Sequence, residues 1–148
     1  MFAALENLDF VVALRRSAWA YPIVSWLHLL GIGLLFGSIA IVDLRLLGLL
    51  RGLDKDAVRR ALVPLALRGF CLAAASGFLL FAPAAREYLA SPFFRLKLLL
   101  ILVAGANAAL FHALHGTGIR RAAETVGGLA SLGLWLSIIF VGRMLAFG

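Results

Sequence analysis

Residues 17–42, SAWAYPIVSWLHLLGIGLLFGSIAIV, form the longest run of the chain without Asp, Glu, Lys or Arg. A transmembrane α-helix needs about 20 consecutive, mostly apolar residues, so this run is long enough to cross a bilayer. Trp19, Tyr21 and Trp26 crowd its start, as aromatic residues do at a membrane interface. Pro22 suits the first turn of a helix, where a missing N–H costs nothing. We therefore predict a membrane-spanning helix over residues 18–44.

The composition of the whole chain supports a membrane fold. Of its 148 residues, 64% are hydrophobic and 14% are charged, and the mean hydropathy is +1.04. Soluble domains have roughly 45–50% apolar and about 25% charged residues. Three further apolar runs predict spans over residues 61–85, 94–117 and 125–147. The predicted fold is all-α, an integral membrane antiparallel four-helix bundle forming a single domain, residues 1–148.

The polar segments outside these spans are short. Residues 2–14 have the spacing of an amphipathic helix lying in the interface, or are a frayed terminus. Residues 51–60, RGLDKDAVRR, are a loop or a short surface helix. The net charge of +7 is explained by arginines that face phospholipid headgroups. We predict no nucleic-acid partner, because no basic stretch with interleaved aromatic residues lies outside the spans.

Small residues in the predicted spans indicate close contacts. Gly33 and Gly37 form a G-x-x-x-G pair, and Gly133 and Ser137 have the same spacing. Such patches let helix backbones approach each other in lipid. They can equally make room for a flat cofactor, and the sequence leaves both interpretations open.

Polar groups within the spans are candidates for function, because they are costly in a bilayer. They are His28, Asp43, Arg45, Asn107, His112, His115 and Arg143. His28 lies near the middle of the first span, and Gly31 follows one turn later on nearly the same face. A histidine with a glycine one turn away suits a haem ligand, since the porphyrin needs space beside the imidazole. The alternatives are a proton carrier and a histidine that is hydrogen-bonded to a neighbouring helix.

His112, in the third span, is the predicted second ligand. Its depth differs from that of His28 by roughly 7 Å, or by about 13 Å if the first helix starts at Pro22. A haem held between these helices would occupy the core of the bundle. His115 is either an alternative iron ligand or a residue at a water-exposed helix end.

The remaining polar groups have less defined predicted roles. Asp43 and Arg45 are two residues apart, so they do not face each other and need other partners, such as His112, His115 or headgroups. Arg143 could pair with a haem propionate, a quinone oxygen or phosphate. No set of nucleophile, base and acid is visible, so we predict no catalytic residues.

Several short motifs resemble a known family. They are His28-Leu29-Leu30-Gly31, Phe36-Gly37, the run from Asp43 to Gly48, Phe111-His112, the run from Ser131 to Trp135, and Gly142-Arg143. Over about residues 22–147 they resemble a family of small bacterial inner-membrane proteins with four helices and no established function. More distantly, the His-then-Gly helix resembles membrane b-type cytochromes and the membrane domain of copper-resistance proteins. The cytochrome resemblance implies haem b bound by His28 and His112. With three histidines, the chain departs from the two-haem cytochromes.

Together these features predict a multi-pass protein of the bacterial inner membrane. The leading hypothesis is a haem b-binding electron-transfer subunit that interacts with quinone or a partner protein. The alternatives are a small proton or ion channel or carrier that uses His28 and the Asp43 region, and a membrane anchor without chemistry of its own. We also predict a homo-oligomer or a larger membrane complex.

Overall fold

The regular elements of the protein are helices throughout the residues that the computed structural model describes, 8–114 and 121–145. They are α1 (Asp9–Arg16), α2 (Ala20–Leu46), α3 (Lys55–Phe81), a 3-10 helix (Ala82–Ala84), α4 (Ala85–Ala90), α5 (Pro92–Leu114) and α6 (Arg121–Met144). Four of these segments are long and apolar enough to cross a membrane, beginning at α2, α3, α5 and α6. The predicted all-α fold is confirmed for this part of the chain.

Helix α3 begins earlier than the sequence predicted. Asp54 caps it by accepting a hydrogen bond from the backbone N–H of Ala57 at 2.7 Å, and the helix starts at Lys55. The second half of the polar stretch 51–60 is therefore helical. Pro64, predicted in the first turn, lies inside the helix. There it cannot donate to the carbonyl of Arg60.

The opposite end of α3 is covered by short helices. The rings of Phe81 and Phe94 stack at 5.3 Å, and Tyr88 packs against Phe94 at 5.5 Å. On α1, Val11 is fully buried and Arg15 donates to the carbonyl of Pro83 at 2.6 Å. Of the amphipathic helix predicted over residues 2–14, the part from Asp9 is a helix, and residues 1–7 lie outside the described residues.

Helices α2 and α3 are in backbone contact. A Cβ atom added to Gly31 would lie 2.6 Å from the nitrogen of Ala73, and one added to Gly69 would lie 2.6 Å from the nitrogen of Leu35. Because Gly31 meets Ala73 and Leu35 meets Gly69, the two helices run in opposite directions. The predicted G-x-x-x-G pair is on another face, since a Cβ added to Gly33 or Gly37 would meet no described atom of another helix within 4 Å.

Helix α6 connects this pair to α5. Gly128 of α6 lies beside Asp43 of α2, Gly127 lies beside Phe111 of α5, and Gly142 lies beside Lys97. The central contact of the four long helices is a cluster of five buried side chains: Leu35, Ala66, Ala104, Trp135 and Ile138. The cavity and the histidine described below lie on opposite sides of this cluster.

Candidate functional site

A cavity of about 500 Å³ lies among the four long helices, at the end that carries the loop between α2 and α3. Its wall is mostly apolar and includes the ring of Trp135. All four long helices contribute to its polar lining residues: Asp43, Arg59, Asn107, His112 and Ser131. The structure therefore brings together three residues that the sequence had identified separately, Asp43, Asn107 and His112.

Asp43 is the most deeply buried polar group of this cavity. Its side chain is 5% exposed, and its carboxyl group is hydrogen-bonded to Ser131. The second oxygen, Oδ2, has no hydrogen-bond partner among the described residues. A buried polar atom without a partner costs free energy, and it is a natural contact for a ligand.

The neighbours of Asp43 hold the helices around the cavity. Asn107 donates from Nδ2 to the carbonyl of Gly127 at 3.3 Å, which ties α5 to α6. His112 is exposed in the cavity wall. The sequence predicted His112, His115 or headgroups as partners of Asp43. The structure instead gives Ser131 as its partner, and His115 lies outside the described residues.

Charged side chains surround the polar end of the cavity. Lys55 of α3 and Glu124 of α6 form an ion pair at 2.6 Å. The guanidinium of Arg59 lies 5.8 Å from the centre of the Phe111 ring, close enough for a cation–π contact. Arg45, which the sequence had identified with Asp43, donates to the carbonyl of Leu53 and so holds the loop against the end of α2.

His28 lies on the far side of the core and packs against α3. Its Nδ1 is 2.8 Å from the carbonyl oxygen of Ala73 and 3.3 Å from Oγ of Ser76. A carbonyl oxygen only accepts, so Nδ1 carries the proton, and in the neutral ring Nε2 keeps its lone pair. The ring lies over Gly77, where an added Cβ would be 2.9 Å from Cε1. Gly77 therefore makes room for the imidazole.

The structure does not bring His28 and His112 together. Leu35 of α2 and Ala104 of α5 share the core cluster. His28 precedes Leu35 by about 10 Å along α2, and His112 follows Ala104 by about 12 Å along α5. Because both helices run from the His28 end towards the cavity, the two imidazoles differ in depth by roughly 20 Å. This is more than the offset predicted from the sequence, and too far for both to bind one iron.

The other two residues predicted at the haem also lie outside the cavity. The backbone of α3 occupies the space beside Gly31. Arg143 is exposed in the last turn of α6, at the His28 end of the molecule.

Lys97 of α5 lies at the His28 end of the bundle and is not among the functional candidates identified from the sequence. An added Cβ on Gly142 would lie 3.5 Å from its Nζ, and its charge acts on the imidazole of His28. The sequence also missed Arg59 and Trp135 as cavity residues. Ser131 was named only as the first residue of one of the short motifs. Each of these side chains is ordinary for its segment, so only its position in the fold identifies it.

Comparisons with known proteins give no further assignment, because no family model, curated protein or solved structure matches this chain. Among residues 8–114 and 121–145, no group of three or more His, Cys, Asp or Glu side chains could hold a metal ion. The cavity thus combines a mostly apolar wall with one buried carboxyl oxygen, Oδ2 of Asp43, that has no hydrogen-bond partner in the part of the chain that the structure describes.

Proposed function

We propose that this chain is an integral membrane protein of the bacterial inner membrane, an antiparallel four-helix bundle whose cavity binds the head of a lipid-soluble quinone. The observation that carries the proposal is the buried Oδ2 of Asp43, which has no hydrogen-bond partner within residues 8–114 and 121–145 and lies in the wall of a mostly apolar cavity. A protein interior rarely leaves such an atom unsatisfied unless a ligand, ion or water completes it.

The shape and chemistry of the cavity support a quinone. Binding sites for small molecules usually have volumes of about 300–1,000 Å³ and mostly apolar walls with a few polar groups, and the cavity of about 500 Å³ falls in this range. Trp135 and Phe111 offer aromatic surface to a planar ring. Asp43, Asn107 and His112 offer polar contacts at its edge. The walls belong to candidate membrane spans, so the ligand enters from the bilayer.

Electron transfer through a quinone requires a partner that exchanges electrons with it. We propose that this partner is a subunit of a larger membrane complex, or a cofactor shared with another copy of this chain. The apolar outer faces of α2 and α5 are compatible with lipid and with other helices. Their exposed side chains include Leu29, Leu30, Leu99 and Leu102.

Quenching of Trp135 fluorescence tests the quinone proposal. Trp19 and Trp26 are exposed, and replacing both with Phe leaves Trp135 as the single tryptophan in the cavity wall. A short-tailed ubiquinone should then quench the emission of the detergent-solubilised protein saturably. At a pH low enough to protonate Asp43, Asp43→Leu should weaken binding by about tenfold, since it removes the hydrogen bond that the carboxyl O–H donates to a quinone carbonyl.

The control for this experiment is Asp9→Asn, which removes an exposed carboxyl group on α1. It should leave the quenching curve unchanged. Quenching that rises linearly with quinone, without saturation, would show partitioning into the detergent micelle. If that result is the same with and without Asp43→Leu, the cavity does not bind quinone.

A haem b bound by His28 is a second candidate, favoured by the orientation of the imidazole. Histidine ligands of metals commonly donate their other ring N–H to a backbone carbonyl or a carboxylate, and Nδ1 of His28 meets the carbonyl of Ala73 at 2.8 Å. Lys97 would offset the charge of a propionate. His28 would hold the haem through Nε2, and the haem would supply one-electron transfer.

The absorbance spectrum after haem supplementation tests this second candidate. The wild-type protein should show a sharp Soret band, His28→Ala should lose it, and His112→Ala should keep it, because His112 lies roughly 20 Å away in depth. Lys97→Gln should keep the band and bind haem more weakly. A wild-type protein without a Soret band, or a His28→Ala spectrum identical to wild type, would contradict the assignment.

A further inference from the structure

We infer that the cavity selects the reduced, hydroxyl-bearing form of its ligand, a hydroquinone or phenol head whose O–H contacts Oδ2 of Asp43. The inference rests on the proposed quinone site and narrows it to one chemical form. It concerns the binding preference of the cavity and requires no redox step within this chain.

The hydrogen bonds around Asp43 leave one carboxyl oxygen that can accept a hydrogen bond from a ligand. The hydroxyl of Ser131 is bonded to the carboxyl group, and Oδ2 is the atom without a partner among the described residues. The nearby amide of Asn107 donates to the carbonyl of Gly127 instead. The described hydrogen bonds of the cavity therefore leave one carboxyl oxygen for the ligand.

A hydroxyl group matches this oxygen in either protonation state of Asp43. An ionised carboxylate only accepts, whereas a protonated carboxyl group both donates and accepts. A hydroxyl group donates and accepts, so it can pair with both forms. A quinone carbonyl or an ether oxygen only accepts, so it pairs with the protonated form alone. A hydroxyl-bearing head can therefore pair with both forms of Asp43, and it is the better ligand wherever the carboxyl group is ionised.

The burial of Asp43 increases the difference in affinity between a ligand that donates a hydrogen bond and one that does not. Asp43 is 5% exposed, so solvent offers little compensation when the ligand lacks a donor. Sites built to hydrogen-bond a hydroxyl group discriminate strongly against analogues that lack it, because their own polar group is then left unpaired. We expect the hydroxyl-bearing ligand to bind ionised Asp43 at least about tenfold more tightly than an analogue of the same shape without the donor.

A pair of redox-inert probes isolates the hydrogen bond from electron transfer. Para-nonylphenol carries the donor, and its methyl ether has the same ring and tail without it. Calorimetric titration of the detergent-solubilised full chain, at a pH high enough to ionise Asp43, should show the phenol binding at least about tenfold more tightly. The preference should shrink in Asp43→Asn, whose amide both donates and accepts, and vanish in Asp43→Leu.

Matched variants keep the experiment interpretable. Ser137→Ala removes an exposed hydroxyl group that bonds within its own helix, to Gly133, and should keep the full preference. The ratio of the two affinities in Asp43→Leu corrects for the extra methyl group of the ether. Asp43→Asn preserves side-chain shape and provides the comparison if Asp43→Leu fails to fold.

The outcomes separate this inference from the proposed function. Equal affinity for the two probes in the wild-type protein, with saturable quinone quenching of Trp135, would overturn the inference and leave the quinone site standing. A phenol preference that persists in both Asp43 variants would also overturn it. If neither probe binds and quinone does not quench saturably, both proposals fail.

Discussion

Gly77 shows how a residue without a side chain orients a functional one. The imidazole of His28 lies in the space that a Cβ on residue 77 would occupy, 2.9 Å from Cε1. In this position Nδ1 reaches the carbonyl of Ala73. The backbone carbonyl thus fixes the tautomer, and the glycine permits the geometry.

We predict that Gly77→Ala destabilises the protein through the His28 ring. Overpacking costs roughly 1–3 kcal/mol, which exceeds the gain of about 0.5–1 kcal/mol from replacing a helical glycine with alanine. In a His28→Ala background the clash is absent, so the same substitution should become stabilising. Thermal unfolding in detergent measures both effects, and equal effects in the two backgrounds would show that the ring does not contact residue 77.

Single residues were the easiest part of the site to identify. Asp43, Asn107 and His112 stood out because polar groups are expensive in apolar helices. Gly31 was predicted to make space for a cofactor because it follows His28 by one helical turn. In the structure, α3 occupies that space. The sequence does not show which face of α2 meets α3. It therefore could not predict that α3 packs against Gly31, or that Gly77 is the glycine that makes room for the His28 ring.

The contact between α2 and α3 depends on two glycines at the crossing. A Cβ on Gly31 or Gly69 would meet backbone atoms at 2.6 Å, and backbone cannot rotate away as a side chain can. Van der Waals packing of this kind is a main source of helix association in lipid, where the hydrophobic effect is small.

We predict that Gly31→Ala and Gly69→Ala each destabilise the protein by roughly 1–3 kcal/mol, because the helices must separate. Gly33→Ala and Gly37→Ala are the matched controls, since nothing described lies within 4 Å of an added Cβ. These controls should be neutral or slightly stabilising. Unfolding in mixed micelles compares the four variants, and a ranking with Gly33 or Gly37 as the sensitive positions would contradict the crossing.

The long helices were predictable as elements, because lipid imposes length and low charge on a span. The polar first turn of α3 was not predicted as part of this helix, because Lys55 and Asp56 are residue types that are common in loops. The missed signal is Asp54, an N-cap residue of a preferred type followed by an acidic first turn. Counting apolar residues finds the apolar part of a helix and omits its polar first turn.

At the scale of the molecule, the cavity lies between α3 on one side and α5 with α6 on the other. At its polar end, Lys55 and Glu124 connect α3 to α6 by an ion pair at 2.6 Å. The two side chains are 39% and 21% exposed, so solvent weakens the attraction.

We predict a coupling energy of about 0.2–1 kcal/mol between Lys55 and Glu124. A double-mutant cycle with Lys55→Ala and Glu124→Ala measures it from unfolding free energies. The exchanged pair, Lys55→Glu with Glu124→Lys, should restore most of the coupling, and added salt should reduce it. Additive effects of the two single substitutions would mean that the pair does not connect the helices.

The cavity was the least predictable feature, because its five polar residues come from four helices. Arg59 lies in a polar stretch that was interpreted as a loop or a short surface helix, and Ser131 lies in an apolar run. Their meeting around Asp43 follows from the order in which the helices pack, which no local pattern encodes.

The close contact of α2 with α3 at Gly31 also determines how far a tilt of α2 about this point would move Asp43. Asp43 lies twelve residues after Gly31, which is about 18 Å further along the axis of α2. A tilt of roughly 3° about this pivot would displace the carboxyl group by about 1 Å, enough to separate a formed hydrogen bond from a broken one. His28 lies three residues before Gly31, on the other side of the crossing. The same tilt would therefore move His28 less than Asp43 and in the opposite direction.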